Sequence, residues 1–273
     1  MNKSYYTSVL QPCLRLLSLG CILSFFFLLS SCGKKANNVE TAYDSLAIKY
    51  TIVSTLAHDA NAFTQGLVIY NNKILESTGQ DNSWIAEVNP ASGEQDKKVT
   101  LNEQYFGEGI TVLNNKIYQL TWTSKVGFIY DAKTYKQLGE FTYATQGWGI
   151  TNDGKKLIMS DGSEKLYFLD TITLKVDHSI TVMDGNSPIK KLNELEYING
   201  AIYANIWETP LIVKIDPISG KVIGRLDLSL ITSEIHQLYP NADVLNGIAY
   251  DANSKALLIT GKLWPKAYLL KIK

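Results

Sequence analysis

Short apolar, strand-like stretches recur along most of the chain. They are separated at intervals by Asn, Asp and Gly. "QGLVIYNNKILEST" from Gln65 and "EGITVLNNKIYQLTW" from Glu108 each read as strand, tight turn, strand. "WGITNDGKKLIMSDG" from Trp148, "NELEYINGAIYANIW" from Asn193 and "NGIAYDANSKALLITGK" from Asn246 repeat the design. The central pairs Asn71-Asn72, Asn114-Asn115, Asp153-Gly154 and Asn199-Gly200 suit hairpin turns, which need positive φ at these places. A second motif follows each of the first four units: "VNPASGE" (88–94), "YDAKTYK" (130–136), "LDTITLK" (169–175) and "IDPISGK" (215–221). Each sets Asn or Asp after an apolar residue and Ser or Thr three positions later, a side-chain-capped turn between two more strands.

The units start at 65, 108, 148, 193 and 246, so they are spaced by 43, 40, 45 and 53 residues. Four strands at that period predict an all-β, five-bladed β-propeller. No long periodic helix is predicted. The fifth unit stops at "YLLKIK" (268–273), one strand short, and "KYTIVSTL" (49–56) stands unused before the first. The N-terminal strand is therefore expected to complete the last blade and close the ring, which removes the open sheet edges.

The first 31 residues belong to a different class. Lys3 and Arg15 are their only charges, followed by an apolar run to Leu29 and then Ser30-Ser31-Cys32. Residues 1–31 are read as a secretory signal. The ending resembles the lipobox of bacterial lipoproteins, with Cys32 as the lipidated residue. Residues 32–48 are then a polar tether, and 49–273 the propeller domain. Cys13 and Cys21 fall in the signal, so the processed chain keeps no disulfide and no cysteine metal site. The expected setting is an exported lipoprotein, membrane-anchored on the periplasmic or cell-surface side, and monomeric. Without the signal, 24 Lys and Arg face 26 Asp and Glu, a formal charge of −2. Nothing in that balance points to nucleic acid.

Repeat register turns scattered polar residues into columns. The first column is Gln65, Glu108, Trp148, Asn193 and Asn246. The inner strand of each blade lines the propeller channel, so these positions converge on one mouth. A second column, at the ends of the neighbouring strands, is Gly79, Trp122, Gly162, Trp207 and Lys262. It belongs at the same mouth, because one strand begins where its antiparallel neighbour ends. A packing column repeats one residue type, as Gly66, Gly109, Gly149 and Gly247 do. These columns vary from blade to blade, as a ligand with distinct parts requires. Glu194 and Glu196, in the "LNELEY" stretch (192–197), take the register positions of Gly109 and Thr111 and are left out of the site.

The chemistry on offer is narrow. No Ser-His-Asp set is present. His58, His178 and His236 fall between units without metal spacing and read as surface or turn residues. What remains is one carboxylate, one ammonium, amides and indoles, a set suited to positioning an amine and passing one proton. Aromatic walls would desolvate the carboxylate and raise its pKa. A non-catalytic peptide-binding propeller lipoprotein is the alternative. A metal-dependent propeller hydrolase is a third reading, poorly supplied with carboxylates.

The motifs "AFTQGL" (62–67), "FGEGIT" (106–111), "LTW" (120–122), "QGWGIT" (146–151) and "SDGSEKL" (160–166) resemble the plant-type glutaminyl-peptide cyclotransferases. So do "LNELEY", "ANIW" (204–207), "LNGIAYD" (245–251) and "TGKLWPKAY" (from 260). The resemblance implies a five-bladed propeller that converts the N-terminal glutamine of peptides to pyroglutamate with release of ammonia. It implies Glu108 as the catalytic carboxylate, with Phe63, Gln65, Phe106, Trp122, Trp148, Asn193, Trp207 and Lys262 around the substrate. Lys262 and Gln65 are the candidates for holding the γ-carbonyl oxygen as it gains charge. The resemblance implies catalysis without a metal; calcium accompanies some members and would be here, if at all, only a structural ion.

Overall fold

The computed structural model describes residues 45–80 and 82–273. The signal sequence, Cys32 and nearly all of the expected tether lie outside the described residues. Strand β1 (Tyr50–Ala57) comes first in the chain but belongs to the last sheet. Blade 1 is β2 (Thr64–Tyr70), β3 (Lys73–Thr78), β4 (Trp84–Val88) and β5 (Gln95–Thr100). Blade 2 is β6 (Gly107–Leu113), β7 (Lys116–Thr121), β8 (Val126–Asp131) and β9 (Gln137–Thr142). Blade 3 is β10 (Ile150–Asn152), β11 (Lys156–Ser160), β12 (Lys165–Asp170) and β13 (Val176–Thr181). A small hairpin, β14 (Met183–Asp184) and β15 (Ser187–Pro188), precedes blade 4. Blade 4 is β16 (Leu192–Ile198), β17 (Ala201–Ile206), β18 (Leu211–Ile215) and β19 (Val222–Asp227). Blade 5 is β20 (Leu245–Asp251), β21 (Ala256–Gly261) and β22 (Lys266–Ile272), completed by β1.

The predicted closure is present: β1 runs antiparallel to β22 from Tyr50 opposite Ile272 to Ala57 opposite Lys266. The chain is ordered against the propeller slightly earlier than residue 49. Ile48 donates to the Arg225 carbonyl at 2.7 Å and Arg225 returns a bond to Leu46, which covers the edge of β19.

Burial falls from the axis outward. All of β6 is buried, whereas β5, β9 and β13 are mostly exposed. Inner strands are sandwiched on both faces and so read as continuous apolar runs. Outer strands face water and carry the charges. The core fills the wedges between neighbouring blades; Leu75, Ile85, Ile110, Ile117 and Phe128 fill the one between blades 1 and 2.

The turns obey the sequence. Asn71, Asn72, Asn114, Asn115, Asn199 and Gly200 all adopt positive φ. The third hairpin differs, with Gly154 alone in that region, and Asp153 Oδ1 accepts the N–H groups of Lys155 and Lys156 instead. Asp131, Asp170 and Asp216 each accept backbone N–H groups within the next three residues, as the capped-turn motif requires.

One element departs from the all-strand expectation. Helix α1 (Ser229–Leu238) occupies the connection from blade 4 to blade 5 and accounts for the long last spacing. Its Ile231 and Ile235, one turn apart, join the buried cluster that contains Trp264 and Tyr268.

Candidate active site

The nine residues singled out from the sequence line one cavity of about 190 Å³: Phe63, Gln65, Phe106, Glu108, Trp122, Trp148, Asn193, Trp207 and Lys262. Drug-sized sites run to roughly 300–1,000 Å³, so this pocket suits a single side chain. First-column residues arrive on inner strands: Gln65 on β2, Glu108 on β6, Asn193 on β16. Second-column residues follow β7 (Trp122), β17 (Trp207) and β21 (Lys262).

A shared backbone device aims the first column. The ladder slips by one residue between Thr64 and Gly66, Gly107 and Ile110, Leu192 and Leu195, and Leu245 and Ile248. Each inner strand of blades 1, 2, 4 and 5 thus carries one extra residue at the column position. A β-bulge re-aims a side chain in this way. Crowding at the axis explains the glycines beside the column. A Cβ on Gly149 would lie 2.1 Å from the Asn193 carbonyl oxygen. Gly162, at φ +81°, lies beneath the Trp148 ring, which a Cβ there would meet at 2.6 Å.

The pocket has a polar floor and aromatic walls. Gln65, Glu108, Asn193 and Lys262 are each at most 5% exposed. Phe63 meets Phe106 edge to face at 6.2 Å, Phe106 meets Trp122 at 5.6 Å, and Trp148 meets Trp207 at 5.5 Å and 88°. The Lys262 ammonium lies 4.5 Å from the centre of the Phe63 ring, a cation–π contact in a desolvated place.

Glu108 is held by neutral groups. Gln65 Nε2 donates to Glu108 Oε1 at 3.2 Å, and Asn246 Nδ2 donates to Gln65 Oε1 at 3.3 Å. Ser77 fixes the Glu108 backbone by donating to its carbonyl at 2.5 Å. Burial pushes the Glu108 carboxyl well above the ordinary carboxylate range, against the pull of the Lys262 charge. Burial also lowers the Lys262 ammonium, while Glu108 and Asp243 oppose that change. The Asn193 Oδ1 atom is buried without a hydrogen-bond partner, an acceptor left for a ligand's N–H.

Glutamine cyclotransferase is the family whose model matches residues 24–272. The chain belongs to that family. It is 36% identical over 259 residues to the glutaminyl-peptide cyclotransferase of Arabidopsis thaliana, covering 93% of this chain and 80% of the relative. The crystal structure of Myxococcus xanthus glutaminyl cyclase superposes with a TM-score of 0.79 at 33% identity, covering 84% of this chain and 98% of the other. The five-bladed architecture inferred from the repeat is thereby the family's architecture.

Three features of the site have no counterpart in the sequence reading. Gln146 Oε1 accepts the indole N–H groups of both Trp122 (2.8 Å) and Trp148 (3.0 Å), clamping two walls with one atom. His58, read as a surface or turn residue, is instead buried and paired with Glu76 at 3.1 Å; His178 and His236 have exposed hydrogen bonds, as expected. Glu194 and Glu196 are buried in the channel as struts. Glu194 accepts N–H groups from Leu67 and Ile248, on blades 1 and 5; Glu196 accepts from Tyr250 and Thr151. Among the described residues no three His, Cys, Asp or Glu side chains gather to hold a metal ion.

Proposed function

We propose that the pocket cyclises the N-terminal glutamine of peptides and proteins by general acid–base catalysis at Glu108. The observation that carries this reading is one buried carboxylate of raised pKa, facing a buried ammonium inside an aromatic box. The substrate brings its own nucleophile. Its α-amine attacks the side-chain amide carbon, a C–N bond forms, and the γ-carbonyl oxygen gains charge. Glu108 takes a proton from the attacking nitrogen and returns it to the departing one, so the products are pyroglutamyl peptide and ammonia. A carboxyl of raised pKa is the better base near neutral pH, because it holds the proton firmly without keeping it.

The walls supply proximity. An extended glutamine side chain must fold back on its amine, and the rings of Trp122, Trp148, Trp207, Phe63 and Phe106 leave room for little else. Lys262 stabilises the developing oxyanion. Gln65 donates to Glu108 in the resting pocket and has a second N–H for the same oxygen. Asn193 accepts from the α-amine through its unpartnered oxygen. The mechanism draws on no cofactor. At the N-terminus, Leu29-Ser30-Ser31-Cys32 supports an exported lipoprotein anchored through Cys32 and acting on periplasmic or surface peptides.

The test is a Gln-initiated peptide incubated with wild type and Glu108→Gln, with and without chelator, following ammonia and the mass loss of one NH₃. Wild-type turnover that survives chelation, and a fall in kcat of about 100-fold or more in the variant, is expected. A variant near wild type removes Glu108 as the proton carrier. A wild type that binds such peptides without turnover makes the protein a binder.

A further inference from the structure

The chemistry above leaves one buried charged pair unused. His58 stands 8% exposed between blades 5 and 1. Its Nδ1 lies 2.5 Å from the Trp264 carbonyl oxygen, and its Nε2 lies 3.1 Å from Glu76 Oε1. That carboxylate oxygen also accepts the Thr64 hydroxyl at 2.6 Å. Both ring nitrogens therefore face acceptors, which is the arrangement of an imidazolium that donates twice. A buried ion pair of this kind adds little to stability, because desolvation offsets the attraction. Its worth lies in what it holds.

It holds the turn that carries Lys262. His58 N–H donates to the Pro265 carbonyl at 3.2 Å, and Leu263 N–H donates to the Ala62 carbonyl at 2.8 Å. Leu263, next to Lys262, is held at φ +59°, a conformation that a leucine keeps only when its surroundings impose it. The Trp264 indole is fully buried and donates to the Asp243 carbonyl at 2.7 Å. On the other side, the same segment delivers Phe63, whose ring supports the Lys262 ammonium, and Gln65, which bonds Glu108. Two pieces of chain some 200 residues apart, each bearing pocket residues, are tied together by these backbone bonds and, as the side-chain tie to the Trp264 carbonyl, by the His58 imidazole.

We propose that His58, paired with Glu76, is a positioning residue that locks the seam between blades 5 and 1 and sets the Lys262 ammonium in the pocket. The proposal rests on the reading that Lys262 stabilises the oxyanion. The charged groups facing the imidazole are Glu76 on β3 and Asp59 in its own segment.

The test combines steady-state kinetics on a Gln-initiated peptide with a double-mutant cycle, each variant assayed well below its own melting temperature. His58→Ala is expected to lower kcat at least tenfold while KM changes less than threefold. Glu76→Gln is expected to stay within threefold of wild type, because a neutral imidazole can still donate to Trp264 and accept from the new amide. In a Lys262→Ala background, His58→Ala is expected to change kcat less than twofold, since its target is gone. A folded His58→Ala with kcat within threefold of wild type overturns the proposal. So does an equal loss in both backgrounds, which would mark general damage. If His58→Ala does not fold, the pair His58→Leu with Glu76→Gln fills the space, leaves no buried charge, offers the Trp264 carbonyl no donor and is read by the same criteria. Lys262→Ala alone within threefold of wild type instead sinks the role of Lys262, and the positioning proposal with it.

Discussion

Gln146 provides a sharp test of how the aromatic box works. It is exposed at the rim, yet its single carbonyl oxygen accepts both the Trp122 and the Trp148 indole N–H. An indole nitrogen can only donate, so the chemistry fixes which end of the amide faces the rings. Gln146→Leu removes both bonds at nearly constant size. A net hydrogen bond is worth about 1 kcal/mol. Trp122 is 40% exposed and its N–H can turn to water, which reduces its share, whereas Trp148 is half-buried and loses more. The sum is about 1–2 kcal/mol in the order of the walls, or roughly 5–30-fold in kcat/KM at about 1.4 kcal/mol per decade. The loss should appear mainly in KM, because these rings hold the substrate before charge develops. Gln146→Glu keeps the acceptor and should recover most of the affinity. The assay is steady-state kinetics on a Gln-initiated peptide, with melting temperature as the control for folding. A Gln146→Leu enzyme within twofold of wild type would refute the idea that one shared acceptor sets the two walls.

Three further outcomes are expected. The acid limb of kcat/KM should lie well above the usual carboxylate value of about 4.3, because burial raises Glu108; Lys262→Met, by removing the opposing charge, should move that limb to still higher pH, and a shift downward would contradict the assignment. Glu194→Ala should lower stability by about 2–6 kcal/mol in urea unfolding, since it strands the buried N–H groups of Leu67 and Ile248 at about 1–3 kcal/mol each; a change under about 0.5 kcal/mol would mean water replaces the strut. Stability should fall as pH rises from about 5 to about 8. Burial pushes Glu196 up to about 8, so the folded state takes up a proton that the unfolded chain has released. For His58, burial alone would lower the value, but the charge and hydrogen bonds of Glu76 outweigh it and raise it; its contribution is complete below the unfolded value near 6.5 and is lost through the folded one. Both groups act in the same direction, and a higher urea midpoint at the alkaline end would exclude this account.

The ring and its mouth were legible because repetition makes position meaningful. Glu108, Trp148 and Asn193 share no residue type, and only their common distance from a turn marks them as neighbours. The bulge that aims them was not legible, since it is written in hydrogen bonds rather than in residue types. Helix α1 escaped because Leu230, 82% exposed, and Leu238, 55% exposed, blur its apolar stripe. His58 carried no local signal at all: Glu76 and Trp264 are 18 and 206 positions away. Glu194 and Glu196 were recognised as unusual but not as struts, because their partners are backbone N–H groups that any residue can offer.

The pairing of β1 with β22 has a consequence for the life of the chain before it works. A ribosome finishes β1 long before β22 exists, so the first strand waits without a partner while the other four blades are made. Until β22 is made, blade 5 exposes an edge, and the seam that brings Lys262 to Phe63 has no sheet closure behind it. Sealing of the ring is thus a late event that waits until β22 meets β1.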